Sequence, residues 1–292
     1  MKTLFDKVYT RKEWTFIKIP FFLFWISLLQ HILDKGYHAS LSKGLCQLVD
    51  CQFFIATDNK ILILSIAWLL GVLYIAEIKM KWTTFILFVM SMMVYSAEES
   101  SGVLSRSGMF SFIFLSQSIA YWIYSFDIEL QRLWKNRIQF SMQAIAVAYF
   151  LSACSKLIDS GLSWPSDGHR ITLQIVKSFN YNWVTNLNGE ELDKAAYFVK
   201  LINQNQFTLF VLLSISWLLE FFIPLAIVQR GYARIYGIAL LGMHIGIFYF
   251  MDIVIISFVV PMIIIFINPL YCIMTLLDKP TKRINSIFKI SR

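Results

Sequence analysis

Lys156 lies near the end of a strongly apolar run, 138–158, where an ionisable side chain is costly unless it faces a bundle interior or a water-filled cavity. Tyr149, Ser152, Lys156 and Asp159 follow steps of three, four and three, which puts them on one face of a helix. A lysine so placed either snorkels to an interface or, when partly buried, serves as a proton acceptor. Ser91, Tyr95 and Glu98 form a similar stripe with Glu99 beside it, and His244 sits within the apolar run 235–251. Glu220 lies deep in another run, 207–228, where an isolated carboxylate must be protonated or paired. These side chains are the candidates for acid–base chemistry: Lys156 as base with His244 or Glu98 assisting, and Glu99, Tyr149, Asp159 and Glu220 as further members. The bland alternatives are solvated loop positions for Glu98 and Glu99 and a buried, hydrogen-bonded core histidine for His244.

The elements that must position them follow from composition. Of the 292 residues, 58% are hydrophobic and 15% charged, with a mean hydropathy of +0.62. Soluble domains are about 45–50% apolar and about 25% charged, so an ordinary soluble enzyme and a disordered chain are both excluded. A spanning helix needs about 20 largely apolar residues. Segments 15–33, 60–78, 82–97, 109–126, 138–158, 207–228, 235–251 and 254–277 qualify, some of them short. The runs are too continuous for strands, and a bilayer favours segments that satisfy their own backbone. The expected fold is all-α: a polytopic transmembrane bundle of about eight spans forming one domain over 1–292. The first apolar run has no small-residue cleavage site after it, so it is expected to be a retained helix.

Lys and Arg divide seventeen to seven between the two sets of loops. That bias places both termini in the cytoplasm and the long loop 159–206 outside, in a membrane expected to be a bacterial plasma membrane. The net charge of +8 is therefore a topology signal, and its partner is anionic lipid; no nucleic-acid motif is present. Within 159–206, Ile171, Ile175, Phe179 and Trp183, then Leu192, Ala195, Ala196, Val199 and Ile202, recur at helical spacing. They predict two amphipathic helices at the interface, separated by Asn180, Asn182, Asn186, Asn188 and Gly189, that form a cap or a lid. Cys46 and Cys51 fall in an outer loop and form either a local disulfide or two free thiols. Cys154 and Cys272 are packing residues, and no metal-ligand spacing exists.

The stretch Ala148-Tyr149-Phe150-Leu151-Ser152-Ala153-Cys154-Ser155-Lys156-Leu157 resembles the Tyr-Phe-x-Ala-Gly-x-x-Lys-Leu segment of the vitamin K-dependent gamma-carboxylase family, with Trp164 following. A second block agrees: Leu218-Leu219-Glu220-Phe221-Phe222-Ile223-Pro224-Leu225, a basic turn, Met243-His244, Phe248 and Ile256-Ser257-Phe258. The same membrane module is shared by the horizontally transferred transmembrane (HTTM) domain proteins and resembles membrane proteins that assist maturation of sporulation-delaying toxin peptides. The resemblance covers about 60–277. It implies that Lys156 is the base toward a quinone or other lipid-like molecule. Three departures stand against the full activity. Ser155 replaces the family's preceding lysine, no histidine lies between Ala97 and Gly108, and the chain ends at Arg292 without a large extramembrane domain. A complete gamma-carboxylase is therefore not expected. Two functions remain: membrane-embedded acid–base chemistry on a lipid-like molecule, or a non-enzymatic accessory role for a small secreted peptide or a partner membrane protein. In the first, Lys156→Met is expected to remove function without disturbing the fold.

Overall fold

Thr10 opens the first helix by accepting a hydrogen bond from the Glu13 N–H through its hydroxyl oxygen at 3.1 Å. The computed structural model describes residues 10–35, 44–101, 108–124, 130–187, 189–253 and 255–277, and no strand occurs among them. The helices are α1 (Arg11–Asp34), α2 (Lys60–Ile75), α3 (Met80–Ser100), α4 (Gly108–Ile123), α5 (Leu130–Ser160), α6 (Gly168–Asn186), α7 (Glu190–Gln204), α8 (Gln206–Phe221), α9 (Arg230–Met251) and α10 (Ile256–Leu277). Among the described residues five stretches are long and apolar enough to cross a membrane: α1, α3, Trp134–Ser166 within and beyond α5, α9 and α10. The pair α7 and α8, bent by 92°, passes the same test as one broken unit. The helices α2 and α4 are apolar but shorter, with 16 residues each. The run 207–228 is not one helix: α8 stops at Phe221, a turn carries Pro224, and a single turn of helix follows at Leu225–Val228.

Aromatic side chains fill the core. Phe21 of α1 stacks on Phe110 of α4 with ring centroids 5.1 Å apart, and Trp25 meets Phe114 edge-on at 5.5 Å. Phe22 lies over Gly71 of α2, where a Cβ would come within 1.8 Å of the ring. Glycine is required there because ring and backbone already occupy the space of a methyl group.

Charge is buried where α1 starts. Arg230 of α9 donates through Nε to Glu13 at 2.7 Å and through Nη1 to the Ile265 carbonyl at 2.8 Å. Arg234 lies 3.6 Å from the same carboxylate. The Ile265 carbonyl belongs to a π-wound stretch, Ile263–Ile267, that ends at Asn268 with φ 51°. The Asn268 side chain donates to the Glu13 carbonyl at 3.1 Å and accepts from the Tyr271 N–H at 3.3 Å, restarting the helix ahead of Pro269. At the same end, Glu77 follows α2 and takes Lys18 at 2.6 Å and Arg137 at 3.1 Å, while Lys18 also caps the Ile75 carbonyl at 2.7 Å. Burial pushes the Glu77 carboxyl up, but the two cations outweigh it and hold it below its ordinary value.

The opposite end carries the antiparallel pair α6 and α7. Its own small core joins Ile175 and Phe179 to Ala195, Phe198 and Ile202. Asn182 of α6 hydrogen-bonds Asp252 at the end of α9, which fastens the hairpin to the bundle. Cys46 and Cys51 are joined in a disulfide, and buried Cys51 packs with Met93 and Ala97 of α3.

Gly71→Ala forces Phe22 out of its place and is expected to destabilise the detergent-solubilised protein by about 1–3 kcal/mol. Thermal unfolding beside the wild type checks it; an unchanged midpoint would mean that α1 and α2 are not packed this closely.

Candidate functional site

At the hairpin end, α5 presents Tyr149 and Lys156 two turns apart to α8 and α9. Lys156 Nζ lies 2.5 Å from Glu220 Oε2 of α8. On its other side the ammonium sits over the Trp164 ring, 4.7 Å from the centroid. Trp164 is placed there by a 3₁₀ turn, Gly161–Ser166, in which Pro165 is buried. Glu220 is 5% exposed, so Lys156 supplies the counter-charge that a carboxylate at that depth requires. The α5–α8 contact is fixed one turn away by Trp217, whose indole N–H donates to the Ala153 carbonyl at 3.1 Å. A carboxylate and an indole face both contact the ammonium. This setting differs from the apolar pocket that would make a lysine a free base.

One layer deeper, Tyr149 Oη and His244 Nε2 are 2.6 Å apart. Both side chains are buried, and Phe258 and Met262 of α10 close around Tyr149. With the histidine proton on Nδ1 the phenol donates to Nε2; with it on Nε2 the ring donates and the phenol turns to the Met262 sulfur, 3.8 Å away. The contact is thus satisfied in either neutral tautomer without moving a heavy atom.

The other expected members do not join it. Asp159 is exposed and accepts a hydrogen bond from Ser155 at 3.3 Å, and Ser152 is exposed too, so the four-residue stripe on α5 divides. The inward face runs Tyr149, Ala153, Lys156, because steps of four and three hold a tighter line than three, four and three. Glu98 is buried near the end of α3 and Glu99 is half-buried next to it. That part of α3 packs against the disulfide turn, where the Leu45 N–H donates to Ser96 at 3.1 Å. The carboxylate that meets Lys156 is Glu220. The sequence points to Trp164 only through the family resemblance, as the Trp that follows the Tyr149–Leu157 segment, and gives no signal for Trp217.

Among the described residues no group of His, Cys, Asp or Glu is arranged to hold a metal ion. Of the clefts formed by the described residues, two open to the surface at the bundle ends, and neither is lined by Lys156, Glu220, Tyr149 or His244. One, of ≈740 Å³, lies between the hairpin and the end of α9 and is lined by Tyr197, Tyr249, Glu191, Asp193 and Asp252 among others.

No known family, curated protein or solved structure is significantly similar to this chain.

The pair sets an expectation opposite to that of a free lysine base. Lys156→Met strands the Glu220 carboxylate and should cost on the order of 3 kcal/mol. The double variant Lys156→Met with Glu220→Gln should recover much of that loss, which unfolding of the single and double variants would measure. Equal stability of wild type and Lys156→Met would show that the two side chains do not pair.

Proposed function

We propose that this chain is an integral membrane protein of eight spans, and that it performs acid–base chemistry on a lipid-like or quinone-like molecule in the outer half of the bilayer. In this reading α2, α4 and α8 complete the five longer spans and both termini are cytoplasmic. The hairpin α6–α7 lies outside at the interface as a cap. The membrane is a bacterial plasma membrane, and the chain is related in kind to the membrane module of the gamma-carboxylases without being a complete one.

The observation that carries the chemistry is the contact of Tyr149 with His244 inside the bundle. A phenol and an imidazole held together by residues 95 apart in sequence form a proton-transfer couple set against apolar walls. A quinone-like ring fits such a setting, since it needs one group that gives and takes a proton beside Phe258 and Met262. Lys156 then acts through its ion pair with Glu220, holding α5 on α8, and the base is His244.

Topology and chemistry are tested separately. Reporter fusions after Lys135 and after Asn186 should report opposite sides of the membrane; the same side for both would overturn the orientation. Lipid extracts of cells making the wild-type chain should contain a lipid-like species, resolved by mass spectrometry, that cells making His244→Gln at equal protein level lack. Indistinguishable extracts would remove the enzymatic reading.

A second reading rests on the hairpin cleft. Its tyrosines and carboxylates suit a docking surface for a small secreted peptide, and the protein would then be an accessory factor. Tyr149→Phe and His244→Gln would leave that role intact, whereas charge reversal at Asp193 would not.

A further inference from the structure

We infer that a cleft between the start of α1 and the end of α10 binds the headgroup of an anionic phospholipid. The cleft has a volume of ≈340 Å³ and lies at the end of the bundle opposite the Tyr149–His244 couple. Arg11 and Lys12 line one side of it, and Tyr271 and Met274 line the other. Both cations are exposed, and no ion pair or hydrogen bond joins their side chains to a partner among the described residues.

Their position is costly in isolation. Arg11 and Lys12 occupy the first turn of α1, where the helix dipole repels positive charge. The one acid of that turn, Glu13, points inward and is consumed by Arg230 and Arg234. An anion in the cleft offsets this charge, with the Tyr271 hydroxyl as a neutral donor.

A lipid fits better than a free anion because the cleft continues into an apolar surface. Phe16 lines it, and Leu270, Ile273, Met274 and Leu277 on α10 expose between 43% and 62% of their surface. A headgroup seated on Arg11 and Lys12 lays its acyl chains along that face. The two helix ends that line the cleft are tied together behind it, since the Asn268 side chain donates to the Glu13 carbonyl and accepts from the Tyr271 N–H.

The inference rests on the membrane reading but not on any chemistry at His244, so the lipid-extract result and this one fail independently. The experiment uses the purified full chain in non-ionic detergent. Retention of phosphatidylglycerol, phosphatidylcholine and inorganic phosphate is measured by native mass spectrometry together with the thermal midpoint. Phosphatidylglycerol should be retained and should raise the midpoint, with neither effect from the other two probes. R11Q/K12Q should weaken phosphatidylglycerol binding about tenfold or more, two cations being removed from an anionic site. Tyr271→Phe should weaken it less, and K79Q/K135Q, with the same loss of charge elsewhere, should leave it unchanged. Unaltered binding by R11Q/K12Q, an equal loss in K79Q/K135Q, equal retention of phosphatidylcholine, or equal stabilisation by phosphate alone would each overturn the assignment.

Discussion

The contact between Glu13 and Arg230 holds this fold together in the literal sense. It joins the first turn of α1 to the first turn of α9, across 217 residues of sequence. In an apolar interior neither charge is tolerable without the other. The same guanidinium reaches the Ile265 carbonyl, so the irregular stretch of α10 becomes acceptable only because Arg230 is there. Asn268 then bonds the Glu13 backbone. Three helices are thus registered by a handful of polar groups, and the positions of Met262 and Phe258 around Tyr149 descend from that registration.

Glu77 performs a similar service for α1, α2 and α5. It sits in a left-handed backbone conformation, φ 60°, and collects Lys18 and Arg137. Arg137 in turn lies 4.1 Å from the centre of the Tyr121 ring, and a polar chain runs on through Ser141, Gln117 and Tyr74. Charge is concentrated at one end of the bundle for construction. At the other end many charges lie on the hairpin surface in local pairs such as Arg170–Asp167 and Lys194–Glu191, while Lys156–Glu220 is paired across helices inside the bundle. Tyr149–His244 and Lys156–Glu220 differ from those surface pairs in joining side chains far apart in sequence.

The helical bundle was legible because apolar runs of helical length advertise themselves. The helix ends were less so. The run 138–158 understates α5, which begins at Leu130, because Arg137 and its neighbours look like loop until Glu77 gives the arginine a buried partner. Phe198 escaped the reading of α7, although it is a centre of the hairpin core; the chosen line of Ala195, Val199 and Ile202 lies a fraction of a turn away. At the site, Lys156, Glu220, Tyr149 and His244 were each visible as polar residues in apolar surroundings. Their pairing was not, since a helix face narrows the choice of neighbour without naming it. Glu98 has the same local character as Glu220, and only the packing of α5 on α8 distinguishes them.

The short helices have a consequence for the membrane itself. With 16 residues each, α2, α4 and α8 measure about 24 Å at a rise of about 1.5 Å per residue, against a hydrocarbon layer of about 30 Å. Standing beside longer neighbours, they cannot relieve the shortfall by tilting, because tilt only shortens their reach. If they span as proposed, the lipid yields instead, drawing its leaflets together around these helices. In the eight-span reading such a bundle thins the bilayer locally at these helices, and it is at home where the membrane is thin or its chains are easily deformed.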